Sequence, residues 1–576
     1  MYLRTIKRRN GDGSEVRYYQ LAENTWDPKR RCAVAKVVYS FGRADALDGD
    51  MLRRLARSIL RVVDADPGAV ALAAQDGTSD VRLRDSWPYG AVFVLEQLWK
   101  ELGIDATLSA CAARKRKKQP FERALFAMVA NRALSPYSKL YCWEQWLREE
   151  VFLESAAELE LHHLYFAMDF LEAHKAEIEK AVYFKMADLM NADVDLIFYD
   201  TTSLHFEVDE EDEVEQTKDG RTYEALRKRG HSKNGRGDAP QIVVGLAVTR
   251  DGLPVRSWVF SGETADVTTV EKVKKDLRGW RLGRCVFVGD AGMNSEENRR
   301  KLGLGNGKYI LASRLRAGDE VTTEVLARAG RYHEVAGNLR VKEVIVGDGE
   351  RRRRYVVCHN PLEEQRQSEH RKKLVGALEA ELANMRPKDG GHSKRACELI
   401  ASSRYGRYLR QTKSGGLRLD RSAIKEAERY DGKWVVTSND DTLSVEDLAL
   451  GYKQLLRVEQ CWRQLKSGLR MRPVFHWRPW RIQAHVSLSV LSLLLERVAE
   501  IRAGDTWRNI AAQLDTIKVV EYERGGARIR QTTEVRAEVV PLLAKLGVGT
   551  PPRLHTITPV TQSSDAPTDA AADASA

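Results

Sequence analysis

Val194-Asp-Leu-Ile-Phe-Tyr-Asp200-Thr-Thr-Ser203 is the stretch on which the fold turns. From Val194 to Tyr199 it is almost continuously apolar, β-branched or aromatic, the composition of a central strand buried on both faces. Asp200 stands where that strand ends. A second run of the same kind, Arg284–Gly289, leads into Asp290-Ala-Gly292. Between them, Gln241–Thr249 and Val255–Ser261 read as two strands joined at Asp251-Gly252, a turn signal, and Thr268–Leu277 reads as a helix. Ser295–Leu302 is a further helix and Tyr309–Ser313 a further strand. This order is that of an α/β fold. It sets both aspartates on adjacent central strands, at the position where open α/β sheets carry functional groups.

Outward from this core the pattern changes. Residues 1–45 read as a small basic β unit, with Asn10-Gly-Asp-Gly13 as a turn between two strands and Cys32–Phe41 as a third. Residues 46–190 are mostly helical, with segments at Met51–Val63, Ala91–Leu102, Phe121–Ala133, Lys139–Leu147 and Leu161–Leu189. The basic run 113–118 precedes one of these helices and is either a DNA-backbone contact or a solvated loop. Residues 316–440 interrupt the α/β order with two antiparallel strands, Arg340–Val346 and Arg352–Cys358, and a charged helix, Leu362–Met385, before a short strand at Lys433–Thr437. The tail from Thr556 is rich in Ser, Thr, Ala, Asp and Pro and reads as disordered.

Leu448–Lys466 reads as one amphipathic helix, opened by the capping box Ser444-x-x-Asp447. Between Leu448 and Arg472 stand six cations, Lys453, Arg457, Arg463, Lys466, Arg470 and Arg472, and one carboxylate, Glu459. Tyr452, Glu459 and Lys466 are seven apart and share a face, drifting only ~20° per heptad. Leu448, Leu455 and Trp462 form the apolar stripe beside it. Pro479 opens the next helix, whose apolar run Val486–Leu495 is too short to span a bilayer and reads as buried.

The 576 residues call for two to four domains. Lys and Arg number 93 against 82 Asp and Glu, a net charge of +11 that favours a polyanionic partner. Seven scattered cysteines without a C-x-x-C pair argue against a zinc site or a disulfide framework and for reduced thiols in the cytoplasm. The N-terminus lacks the apolar core of a signal peptide, and no membrane association is expected. His162, His163 and His485 read as core histidines, and the Glu207–Glu215 carboxylates as a solvated loop. Arg351–Arg354 either grips DNA or guards a sheet edge. Asp200, Asp290 and Glu459 converge from distant sequence. Three such carboxylates can hold two divalent cations for phosphodiester displacement.

The motifs Phe198-Tyr-Asp-Thr-Thr-Ser203, Gly230-His-Ser-Lys-Asn-Gly-Arg-Gly-Asp238 with Gln241, Val288-Gly-Asp-Ala-Gly292 and Tyr452…Val458-Glu-Gln-Cys-Trp-Arg-Gln-Leu-Lys466 resemble the IS4-superfamily DDE transposases of insertion sequences. Met1-Tyr-Leu-Arg-Thr and Ala35-Lys-Val-Val-Tyr-Ser-Phe-Gly42 are similar to the IS1634-type branch. The resemblance spans about residues 1–550. It implies a ribonuclease-H-like catalytic core with a β-rich insertion between the second Asp and the Glu, and a mainly helical N-terminal region. It implies Asp200, Asp290 and Glu459 as the catalytic, metal-binding triad, with two Mg²⁺ ions per site and Mn²⁺ able to substitute. The family signature Y-x2-R-x3-E-x6-K is met by Tyr452, Glu459 and Lys466, but Leu455 stands at the Arg position. Arg463, one turn beyond Glu459, is the better-placed replacement. Tyr452, Lys466, Arg463, His231, Lys233 and Arg236 are expected to contact DNA.

On this reading, 46–190 binds DNA and 191–315 and 441–503 form the two parts of the catalytic core. Residues 316–440 are the insertion, 504–555 a C-terminal region and 556–576 a tail. The expected function is cleavage and joining of DNA at transposon inverted repeats, and insertion into target DNA, by a homodimer in the bacterial cytoplasm at the nucleoid. The alternatives are a stand-alone metal-dependent nuclease and a transposase-derived DNA-binding protein that no longer cuts.

Overall fold

A computed structural model describes residues 2–9, 15–27, 32–43, 81–114, 119–190, 196–233, 235–280, 282, 285–316, 320–349, 352–385, 394–412 and 416–559. The turn at 10–13, the helix at 51–63, positions 115–118 of the basic run, Arg351 and the tail beyond 559 lie outside them. The chain divides into two compact units. The first draws on residues 1–84, 522–529 and 557–576, and the second on 85–521 and 530–556.

In the first unit, β1 (Tyr2–Arg9), β2 (Glu15–Asp27) and β3 (Cys32–Arg43) form an antiparallel sheet. Its first pair runs in unbroken register from Tyr2 opposite Ala22 to Arg9 opposite Glu15.

The second unit begins with helices α1 (Gly90–Glu101), α2 (Ile104–Arg114), α3 (Phe121–Leu134) and α4 (Leu161–Leu189). The sheet follows, with β4 (Leu196–His205), β5 (Gln241–Val248), β6 (Pro254–Ser261), α5 (Asp266–Gly279), β7 (Val286–Gly289), α6 (Glu296–Gly303) and β8 (Lys308–Ser313). Next come β9 (His333–Ala336), β10 (Leu339–Val346), β11 (Arg353–His359), the long helix α7 (Pro361–Asn384) and β12 (Lys433–Ser438). These nine strands make one sheet in the order β9-β10-β11-β12-β8-β7-β4-β5-β6. Four strands of 316–440 therefore extend the central sheet beyond β8, and what stands off from it is the piece between β11 and β12, with α8 (Lys394–Ala401), α9 (Arg421–Glu428), a two-stranded ribbon of Leu409–Gln411 with Leu417–Leu419, and a small core at Leu378, Leu399, Tyr408 and Ala427.

Strand periodicity explains the layers. Ile197 and Tyr199 of β4 and Phe287 of β7 face a core shared with α1–α5. Leu196, Phe198, Val286 and Val288 face the opposite core, shared with α10 (Val445–Lys453), α11 (Leu456–Arg463) and one side of α12 (Pro479–Ala503). Each buried Leu, Ile or Phe contributes about 1.5–3 kcal/mol, so a one-residue slip of β4 would be heavily penalised. Helix α12 touches both cores, through Ala484 and Leu488 on one side and Ile482 and Val486 on the other. That double burial is why it is apolar all round: it is long and apolar enough to cross a membrane, yet 89% of its apolar window lies inside the protein.

Two sequence expectations are corrected here. Strand β4 does not stop at Tyr199. It runs through Asp200 to His205, because its second half pairs antiparallel with β5, Asp200 opposite Leu246. The helix expected over Leu448–Lys466 is broken into α10 and α11, with Gln454 and Leu455 in a tight turn. There the amides of Leu455, Arg457 and Val458 each reach back three residues, not four. Its cap and apolar stripe hold: Ser444 Oγ accepts from the Asp447 amide at 3.0 Å, and Leu448, Leu455 and Trp462 are buried.

The segment before β5 is sewn onto the sheet. Gln241 is fully buried and its Nε2 donates to the carbonyls of Gly262, at 2.9 Å, and His231, at 3.2 Å. Backbone bonds join Lys228 to Gln241 in both directions. The contact has no room for a side chain: a Cβ on Gly262 would lie 2.1 Å from the carbonyls of both Gln241 and Lys228, and one on Gly230 would lie 2.1 Å from the Gly262 carbonyl. Gly262→Ala is therefore expected to destabilise the protein by about 2 kcal/mol or more, since backbone must move to admit the methyl. Equilibrium urea unfolding checks this; an unchanged midpoint would show that the close packing is dispensable.

Candidate active site

Register brings the two aspartates together. β7 runs parallel to β4 with Val286 opposite Leu196, Phe287 opposite Ile197 and Val288 opposite Phe198. The offset is 90 residues, the same as the separation of Asp290 from Asp200. Continued two residues, the ladder sets these acids side by side. Their parity follows 196, 198 and 286, 288, so both point to the sheet face covered by α10 and α11.

A third acid joins them. Asp266, in the first turn of α5, accepts from Thr201 Oγ1. A Cβ placed on Gly292 would lie 3.2 Å from one oxygen of Asp290 and 3.6 Å from one of Asp266, so these two carboxylates border the same small space. Lys233 reaches in from the sewn segment. Its ammonium lies 2.9 Å from Asp266 Oδ2 and 3.8 Å from Asp200 Oδ1, and donates at 2.8 Å to both the carbonyl and the hydroxyl of Thr201. Asp290 Oδ1 accepts from the Gly292 amide at 3.0 Å and the Met293 amide at 3.3 Å.

Burial pushes the Asp200 carboxyl up to about 6; nearby Asp290 and Asp266 add to the rise, and Lys233 opposes it. Burial likewise raises Asp290, with Asp266 adding and Lys233 opposing. One ammonium thus compensates part of a three-carboxylate field.

Tyr452 is half-buried beneath this pocket. Burial raises its phenol pKa, and the charges of Asp290, Glu459 and Asp200 raise it further, so the hydroxyl stays protonated among the acids. Glu459 itself is exposed on α11 and makes no hydrogen bond or ion pair among the described residues. Its charge acts on Tyr452, and among the described residues no hydrogen bond or ion pair joins it to Asp200 or Asp290. Burial lowers the Lys466 pKa, as do Arg472 and Lys233, while Asp200 opposes them. Lys466 is therefore the cation facing Asp200 on this side, with Arg472 near it. Arg463 is exposed and unpaired among the described residues. Among the described residues no three His, Cys, Asp or Glu side chains stand close enough to enclose a metal ion.

Other candidates are engaged elsewhere. Arg236 pairs with Asp238 at 3.0 Å and Glu207 at 3.6 Å. His231 is exposed, and its carbonyl serves Gln241. The acidic loop is not simply solvated: Asp212 is buried and takes Arg227 through Nε at 2.8 Å and Nη2 at 2.6 Å, and Glu211 faces Lys228 and Arg229. Arg352, Arg353 and Arg354 are spent on Asp441, on Glu320 with Glu296, and on Glu343. His485 is a core histidine, but His162 is exposed and His163 accepts from the Glu160 amide as part of a helix cap. Asp266 had no distinguishing signal in the sequence, since an acid in the first turn of a helix ordinarily complements the helix dipole.

The transposase DDE domain matches residues 205–495, and the N-terminal domain of IS1634 family transposases matches residues 3–69. The chain belongs to the DDE transposases, of the IS1634 type. It is the transposase of an insertion sequence, an enzyme of DNA cleavage and strand transfer, and its family works with divalent metal ions. No curated protein matches it. Similar solved structures include two transposase–DNA complexes. One is the piggyBac transposase synaptic complex with hairpin DNA, 10% identical, covering 75% of this chain and 82% of that one with a TM-score of 0.34. The other is the Mos1 transposase paired-end complex with the left transposon end, 13% identical, covering 36% and 57% with a TM-score of 0.14.

The raised pKa of Asp200 has a measurable consequence. Its folded-state value lies above its unfolded value, so the folded protein binds the extra proton. The associated stability is present below about pH 4 and lost as pH rises through about 6. Asp200→Asn removes that loss. In EDTA the variant should match wild type near pH 4 and exceed it by about 1–2 kcal/mol at pH 7.5, read by urea unfolding at both pH values. A gain equal at both would place the effect outside ionisation.

Proposed function

We propose that Asp200, Asp290 and Glu459 are the catalytic acids of this transposase, on a ribonuclease-H-like core. The strand order β6-β5-β4-β7-β8, with β5 and β6 antiparallel and β7 and β8 parallel, supports that core. The observation that carries the assignment is the shared 90-residue offset, which sets Asp200 and Asp290 abreast on the face where Tyr452 senses Glu459.

The donor set fits a hard divalent cation. Carboxylate oxygens dominate, burial holds two of the acids protonation-prone, and the field of the acids is only partly met by Lys233. Asp200, Asp290 and Glu459 would hold two Mg²⁺ ions, or Mn²⁺ in their place. Bound there, such ions would supply Lewis-acid stabilisation of a leaving 3′ oxygen and a lowered pKa for water.

The chain's own groups bind and orient the strand. Lys466 and Arg472 offer positive charge to the phosphates either side of the scissile bond, Lys466 as a mobile point charge. The protonated Tyr452 hydroxyl donates to a phosphate oxygen. Lys233 keeps the three acids from repelling one another before DNA arrives and is itself a candidate for a phosphate contact. Arg463, exposed one turn beyond Glu459, and His231, at the mouth of the sewn segment, meet more distant phosphates; Arg236 does so only by leaving Asp238. Water attacks at each transposon end, and the freed 3′-OH then attacks target DNA. Two protomers pair the two ends, in the bacterial cytoplasm at the nucleoid.

Asp290→Asn and Glu459→Gln are each expected to abolish Mg²⁺-dependent cleavage and joining of terminal-repeat DNA while leaving its binding, read by gel shift, unchanged. Full cleavage by either variant would overturn the triad. Binding itself should weaken steeply with added salt.

A further inference from the structure

Directly after the Glu459 helix the chain makes a surface with no counterpart elsewhere in the site. Val474 and His476 are buried, while Phe475 and Trp477 between and beyond them are 66% and 70% exposed. This strand-like alternation turns two aromatic rings outward, two residues apart. Large exposed rings are the informative exception on a protein surface, because burying them would stabilise the fold.

The loop is held firmly. Arg132 donates to the carbonyls of Arg470, at 3.1 Å, and Leu469, at 3.4 Å. His485 Nε2 donates to the Met471 carbonyl at 3.0 Å, and the Met471 amide reaches the Leu465 carbonyl at 2.9 Å. The inward His476 ring packs against those of His485 and Tyr165. The rings are thus presented on a rigid mount.

Charge identifies what they meet. From Gln460 to Leu495 there is no carboxylate, while Arg463, Lys466, Arg470, Arg472 and Arg478 fall in that span, with Arg481, which pairs with Asp169 at 3.0 Å. A second copy of this basic chain would meet repulsion here; a polyanion would not. A paired, stacked base hides its π-face, whereas a base out of the helix offers it to an aromatic ring and its phosphates to the flanking arginines. Leu465, Met471 and Val474 pack in one core with Phe198 and Val288, each two residues before an acid, so the loop borders the acids.

We propose that Phe475 and Trp477, flanked by Arg470, Arg472 and Arg478, form a stacking platform for unpaired bases of the DNA strand held at the acid pocket. It rests on the transposase reading for its partner, but binding to the platform requires neither the acids nor a metal.

The test uses the full chain in EDTA, with a fluorescently labelled duplex carrying an internal bubble of unpaired bases and the same duplex fully paired, read by anisotropy. Trp477→Ala is expected to weaken bubble binding about tenfold or more and leave the paired duplex unchanged, with Phe475→Ala acting in the same direction. Trp477→Phe should restore most of the loss. Arg472→Ala should weaken both duplexes and flatten the salt dependence. Wild-type bubble binding by both alanine variants overturns the platform. So does loss of self-association in sedimentation with bubble binding intact, which would make the patch an interface between copies. Mg²⁺-dependent cleavage of terminal-repeat DNA by Asp290→Asn is read in its own assay, so a failed acid assignment and a failed platform are read separately. Both aromatic positions are exposed, and matching thermal melts confirm that the variants are folded.

Discussion

The parallel pairing of β4 with β7 is the constraint on which the rest depends. Both strands are buried on both faces, so neither can slip by one residue without turning Phe198 and Val288 out of one core and Tyr199 and Phe287 out of the other. That hydrophobic cost holds Asp200 and Asp290 abreast against their own repulsion. Burial is the main cause of the raised Asp200 and Asp290 pKa values, with neighbouring carboxylates adding to it, and the packing on either side outweighs that cost.

A second layer of constraint delivers the counter-charge. Gln241, Gly230 and Gly262 weld the segment before β5 to the sheet end, and only then can Lys233 reach Thr201, Asp266 and Asp200 together. The acidic residues 207–212 and the basic residues 227–236 neutralise each other beside it, chiefly through the buried Asp212–Arg227 pair. Much of the local charge is therefore internally spent. The cation left facing Asp200 from the other side is Lys466, with Arg472 near it, and the departure at Leu455 becomes intelligible. That residue is core, packed with Val458 and Trp462 under the sheet, while an arginine further along the chain approaches Lys466.

Much of this was legible in the sequence. Apolar runs ending in Asp200 and Asp290, the antiparallel pair after the first strand, the Ser444 cap, the buried helix from Pro479 and the family motifs are local signals, carried by period-two or helical spacing within a dozen residues. The errors share a cause. β4 outran its expected end because β5 supplies a partner that lies about forty residues away in sequence. The helix after Ser444 looked continuous because no proline or glycine marks the turn at Gln454-Leu455. Arg352–Arg354 and Arg236 looked available because their carboxylate partners come from other segments.

By itself the sequence determined which acids close buried apolar runs and to which family the chain belongs, because side-chain alternation and turn chemistry are properties of neighbouring residues. Only the tertiary structure decided that Asp266 joins the acids, that Lys233 sits among them, that Glu459 is exposed, and that Phe475 and Trp477 face outward beside Arg472. Those outcomes depend on where segments up to some 270 residues apart are brought to rest, and buried charge is balanced by whatever group the closed backbone places within a few ångströms, whatever its distance along the chain.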